Sequence, residues 1–162
     1  MLRLFALLIA LAFPLAVHAA GGGESTNTPD PRLSGGTPRN PDLVIAEKLI
    51  KEWKYAEAIL HLEKATQADA RNADAFNWMG YAHRKLNKLP EARIHYAKAL
   101  ELKPDHRGAL EYQGEMFLML DDLKSAEGNL ARLDKLCFFG CSEYADLKKA
   151  IVEYKQRKGI AS

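Results

Sequence analysis

From about position 40 onward, apolar residues recur at helical spacing (i, i+3, i+4, i+7), interrupted by short polar turns such as Leu86-Asn87-Lys88. The pattern itself repeats every 34 residues. Ala46, Gly80 and Gly114 form one column, and Ala58, Ala92 and Ala126 a second. Tyr55, Leu89 and Leu123 form a third, and Leu62, Tyr96 and Leu130 a fourth. A period shared by independent columns marks a stacked-repeat architecture, because one helical pair cannot bury its apolar face without a neighbour. The small columns have a packing reason. Antiparallel helices approach closely only where side chains are small, so Gly80 faces Ala92 and Ala99 in the middle unit, and Ala46, Ala58 and Ala65 serve the first. Gly114 and Ala126 serve the third. Phe76, Met79, Leu89, Tyr96 and Leu100 fill the surrounding space. Pro104, in Lys103-Pro104-Asp105, stops a helix between units. The expected fold is all-α: three helical pairs over 39–72, 73–106 and 107–140, and a closing helix over 142–158.

The middle unit resembles the tetratricopeptide repeat in nearly every defining column: Phe76, Met79, Gly80 and His83, then Leu89, Glu91 and Ala92, then Tyr96, Ala99 and Pro104. Phe76 stands for the family's Trp, Met79 for Leu and His83 for Tyr. The flanking units resemble divergent copies, with Ala46 in place of Gly, Ala70 in place of Pro, and Phe138 where the third breaker would fall. The resemblance implies a right-handed α-solenoid. It also implies that the first helix of each pair lines a concave groove that takes a peptide of a partner protein. The family's groove columns place Leu43, Glu47, Ile50 and Lys51 there from the first unit, and Asn77, Tyr81, Arg84 and Lys85 from the second. Glu111, Glu115, Leu118 and Met119 come from the third. On this reading positive charge sits mid-groove between acidic flanks, and Ile50, Leu118 and Met119 offer apolar anchorage. The carboxylate clamp of chaperone-binding members is not expected, since Glu47 and Tyr81 occupy columns that would serve it.

Outside the repeats, Arg3 followed by the apolar run Leu4 to Ala12, Pro14 and small residues up to Ala19-Ala20 has the layout of a secretory signal peptide over 1–19. The run is short for a membrane span, so no insertion is expected after cleavage. Residues 20–39 are rich in Gly, Pro, Ser and Thr, with Leu33 the one large apolar residue, and read as a disordered tether. Asn40-Pro41-Asp42 is a helix start, a capping side chain before a proline. The closing helix carries Leu147, Ala150, Ile151 and Tyr154 on one stripe, with Ser142 as its expected cap and Lys155, Arg157 and Lys158 at its end. Export, most simply to a periplasm, gives Cys137 and Cys141 a reading as a disulfide closing a five-residue ring. Metal handling or redox chemistry by the same pair is the alternative.

Composition narrows function. The chain of 162 residues has a formal net charge of +2, part of it from Arg3, and no basic stripe interleaved with aromatics, so nucleic acid is not an expected partner. His61, His83, His95 and His106 are scattered. No phosphate loop, His-Glu-x-x-His or Gly-x-Ser-x-Gly is present, and no cofactor is implied. The sequence thus reads as a non-enzymatic scaffold or adaptor in the periplasm, in envelope assembly or cytochrome maturation by analogy with exported relatives. Self-association through the groove is a further possibility.

Overall fold

Each segment with the helical period becomes a helix, and each begins and ends where the local chemistry demands. In the computed structural model, which describes residues 39–161, the chain forms α1 (Pro41–Lys51), α2 (Tyr55–Ala68), α3 (Ala73–Lys85), α4 (Leu89–Leu102), α5 (Arg107–Met119), α6 (Leu123–Leu136) and α7 (Ser142–Lys158). The expected signal peptide at 1–19 and the tether at 20–39, apart from Arg39, lie outside the described residues. Asn40 caps α1, its Oδ1 accepting from the amides of Asp42 and Leu43 at 2.9 and 3.3 Å. Asn72 and His106 do the same for α3 and α5. Each helical pair turns through one left-handed residue, Trp53, Asn87 and Asp121, which keeps the 34-residue step. Asn and Asp accept that conformation readily, whereas a tryptophan there is an exception.

Small columns meet large neighbours as the packing argument requires. A methyl group on Gly80 would lie 2.6 Å from the Tyr96 ring, which is fully buried. One on Gly114 would lie 2.6 Å from Leu147 of α7. In the first unit the second-helix column holds Leu62 instead of Tyr96, and the glycine column holds Ala46. Ala46, Ala58, Ala65, Ala92, Ala99 and Ala126 are all fully buried.

Within each pair the helices pack along their length, and successive pairs join through neighbouring elements. Across pairs, α1 touches α3, α3 touches α5 and α5 touches α7, while α2, α4 and α6 do not touch one another. The stack is therefore closed on the side of the first helices and open on the other. α1, α3 and α5 line the inner wall of a curve, and α7 extends that wall.

α7 buries Leu147, Ile151 and Tyr154 against α5 and α6. Its basic end is tied down by Lys155 to Glu127 and Lys158 to Asp121, both at 2.7 Å, and the Tyr154 hydroxyl donates to Asp121 at 3.0 Å. Its start differs from the sequence expectation. The cap is Cys141, whose Sγ accepts from the Tyr144 amide at 3.4 Å, while Ser142 is the first helical residue and its hydroxyl donates to Glu143. The reason is the five-residue ring. Cys137 and Cys141 are joined with a 2.04 Å S–S separation, Gly140 turns the ring at φ 84°, and Cys141 is left extended at the helix entrance.

Among the described residues no helix is long and apolar enough to cross a membrane.

Candidate functional site

The inner wall divides into two chemically distinct stretches. In the first, Arg84 of α3 is buried, 8% exposed, and its guanidinium lies 2.6 Å from Glu115 of α5 and 3.4 Å from the Tyr96 hydroxyl. It also lies over the rings of Tyr81 and Tyr112, 5.4 and 5.7 Å from their centroids. Burial alone would weaken the Arg84 charge, but Tyr96 and Glu115 outweigh it and hold the guanidinium pKa above its ordinary value. The groove's middle cation is thus spent inside the protein. Around it Tyr81 packs on Trp78, Tyr112 and Tyr55 with centroids 5.6, 4.9 and 6.2 Å apart, and Lys85 lies over the Tyr81 ring. Ile50, Lys51, Trp53 and Tyr55 complete a shallow aromatic depression of about 340 Å³.

The second stretch is a pocket of about 440 Å³ between α1, α3, α5 and the first turns of α7. It gathers five carboxylates: Glu47, Asp74, Glu111, Glu143 and Asp146. Three have partners: Arg39 pairs with Glu47, the His106 ring, whose Nδ1 accepts the Ala109 amide, donates from Nε2 to Asp74 at 3.0 Å, and Arg107 lies 3.8 Å from Glu143. The His106 contact holds the Asp74 carboxyl below the usual range. Glu111 is 8% exposed and has no ion pair or side-chain hydrogen bond among the described residues. Burial, and then the charges of Glu115, Asp146 and Glu143, push its pKa up to about 8. Burial and Glu111 likewise raise the neighbouring Tyr112 phenol to about 12. Asn77, 4% exposed, lines the same pocket, and its Oδ1 has no hydrogen-bond partner. Trp78 forms part of the wall, its indole N–H donating to Glu47 at 3.2 Å.

The residues carried onto the groove by resemblance fall into three groups. Glu47, Asn77 and Glu111 come together in the acidic pocket, and Lys51, Tyr81 and Lys85 in the aromatic depression, with Ile50 at its floor. Glu115, Leu118 and Met119 gather with Arg84 near α7. Leu43, Ile50 and Leu118 are core residues, 4%, 7% and 8% exposed, because they sit beside the crossings of α1 with α2 and α5 with α6; among the apolar anchors Met119 alone is open, at 48%. Of the positive charge expected at mid-groove, Arg84 is closed in a pair with Glu115 while Lys51 and Lys85 stay exposed, since the 34-residue step aligns the helices without showing which charges meet. Sequence reasoning left out Trp78 and Tyr112, which share a column 34 apart, and Asp74, Glu143 and Asp146. The aromatic column was there to be read. The α7 acids were not, because α7 had no expected place on the inner wall.

Residues 73–106 match the family model described as tetratricopeptide repeat. No curated protein matches the sequence. Among solved structures, the first tetratricopeptide repeat domain of Spaghetti (RPAP3), bound to the HSP90 peptide SRMEEVD, superposes with a TM-score of 0.64 at 22% identity, over 73% of this chain and 90% of that one. The first such domain of human RPAP3 gives 0.64 at 24% identity, over 73% and 92%. A tetratricopeptide repeat protein from Parabacteroides merdae gives 0.61 at 16% identity, over 75% of this chain and 49% of that one.

Proposed function

This chain is a tetratricopeptide repeat protein, and we propose that it is a non-enzymatic docking scaffold whose inner wall holds an extended segment of a partner protein in the periplasm. The observation that carries the reading is the concentration of half-buried aromatic rings at the inner wall, Trp78 and Tyr81 of α3 and Tyr112 of α5 with Tyr55 at the start of α2 beside them, next to two open depressions. Rigid aromatic surface of this kind supplies most of the binding energy where proteins meet. The similar Spaghetti domain holds its HSP90 peptide as a docking module, which supports the mode of action. That peptide's Glu-Glu-Val-Asp end does not suit a wall bearing Glu47, Asp74, Glu111, Glu143 and Asp146, so the occupant here has a different charge.

Export is supported by the N-terminal apolar run and by the Cys137–Cys141 pair, which suits an oxidising compartment. Envelope assembly or cytochrome maturation is the process we favour. A role for the two cysteines in metal handling has less support, because no group of three or more His, Cys, Asp or Glu with metal-site geometry occurs among the described residues.

The test is cross-linking and co-purification from the native envelope with the wild-type chain and a Lys51→Glu/Lys85→Glu/Tyr81→Ala variant. Lys51 and Lys85 are exposed, so their changes spare the core. Partner recovery is expected to fall at least about tenfold, the loss produced by removing a central interface aromatic. Equal recovery would remove the inner wall as the docking surface.

A further inference from the structure

We propose that the acidic end of the inner wall is a receptor for a cationic side chain, an arginine or lysine of the docked partner segment, seated between Glu111, Asp146 and the Trp78 and Tyr112 rings. The inference rests on the docking reading and gives it a chemical class.

Four observations converge on it. Of the five carboxylates of the pocket, Glu47 and Glu143 face arginines and Asp74 accepts from the His106 imidazole, while Glu111 and Asp146 have no such partner among the described residues. Glu111 has no ion pair or side-chain hydrogen bond within the chain and lines the pocket beside Asp146 and Glu143, where an incoming cation can meet its carboxyl. Asn77, also more than nine-tenths buried, lines the same pocket with a carboxamide whose oxygen has no donor within the chain, and a rotation of that amide would turn the oxygen toward an incoming donor. A guanidinium or ammonium is a pure donor with positive charge, and it meets both needs at once. Trp78 and Tyr112, with ring centroids 6.2 Å apart, line the same pocket, and aromatic rings attract cations. Arg39 shows the scale of the fit: it places a guanidinium against Glu47 at the rim of this pocket.

The charges around Glu111 give the binding a pH signature. Glu115 lies on its own helix, Asp146 and Glu143 face it from α7, and Arg84 opposes them from α3. Glu47 and Asp74 line the pocket from α1 and α3. A free Glu111 near pKa 8 is largely protonated at neutral pH, so a bound cation must expel that proton. Affinity therefore rises with pH up to about 8, while an arginine ligand keeps its charge throughout.

The experiment is an NMR titration of the full-length protein with an end-blocked heptapeptide holding two arginines among glycines and serines, against its counterpart holding two glutamates. The reporter is the Trp78 indole N–H, assigned with Trp78→Phe. The arginine peptide should shift it saturably and bind on the order of tenfold more tightly at pH 8.5 than at pH 6.5. Glu111→Gln, nearly isosteric, should weaken binding about tenfold and remove the pH dependence, and Asp146→Asn, at an exposed site, should weaken it about threefold. An unmoved Trp78 signal, or equal binding of the glutamate peptide, would overturn the cation receptor. Glutamate-peptide binding at Tyr81 with loss on Lys51→Glu/Lys85→Glu would leave docking intact and remove only the cation assignment. Failure of docking itself is read separately, by unchanged envelope recovery in the triple variant.

Discussion

Glu111 and Glu115 stand one turn apart on α5 and face the same wall, yet their situations are opposite. Glu115 meets the buried Arg84 at 2.6 Å, and the Tyr96 hydroxyl and two aromatic rings complete the surroundings of that guanidinium. Glu111 is buried to a similar degree as Arg84 and meets further carboxylates. One stretch of the wall has its charges matched within the chain and serves as structure. The other holds an excess of one sign that folding leaves uncompensated. Uncompensated burial is tolerated in a protein only at modest cost to stability, and it persists at sites with another use.

The comparison breaks most sharply at Arg84. Arg84→Met keeps the volume but strips Glu115 and Tyr96 of their partner, and should lower unfolding free energy by about 3 kcal/mol, read by urea denaturation. A loss near zero would mean that the matched stretch is not structural. The disulfide comes next. Replacing Cys137 and Cys141 together by serine releases a five-residue ring and should cost about 2 kcal/mol. Serine still caps α7, so the loosening should show first in hydrogen exchange at the start of α7, beside Glu143 and Asp146, and spare the Arg84 stretch. Thiol titration without reductant should find no free thiol, and two free thiols with metal uptake would reverse the assignment.

The smallest effect has the opposite sign. A carboxyl whose folded pKa lies above its unfolded value binds its proton more tightly when folded, so the fold loses stability as pH rises from about 4.5 through about 8. Glu111→Gln should remove that decline and stabilise the free protein at pH 8.5 by on the order of 1 kcal/mol. Thermal melts across this range measure it, and a destabilised variant would show that Glu111 has a partner after all.

Much of the fold was legible because packing leaves a mark on sequence. Gly80 against Tyr96 is a contact that no larger residue survives, and the small column it belongs to repeats at the spacing of the helical pairs. Trp53, Asn87 and Asp121 likewise mark the turns in one column, although the tryptophan hides it. The site was legible only in outline. Ile50 and Leu118 look like anchors in the sequence because a column shows which helix face a residue occupies, not how far the next helix covers it. Residue type alone points to Ser142 as the cap of α7, whereas the ring joining Cys137 and Cys141 moves the helix entrance by one residue.

By itself the sequence determined the helical pairs, their period and their small crossing residues, because these depend on neighbours within one unit or the next. Only the tertiary structure decided which charges meet across units. It set Arg84 against Glu115, brought Glu143 and Asp146 of α7 to Glu111, and left the Asn77 carbonyl without a donor. Charge pairing depends on distances of a few ångströms between separate helices, and a one-dimensional period carries no record of them.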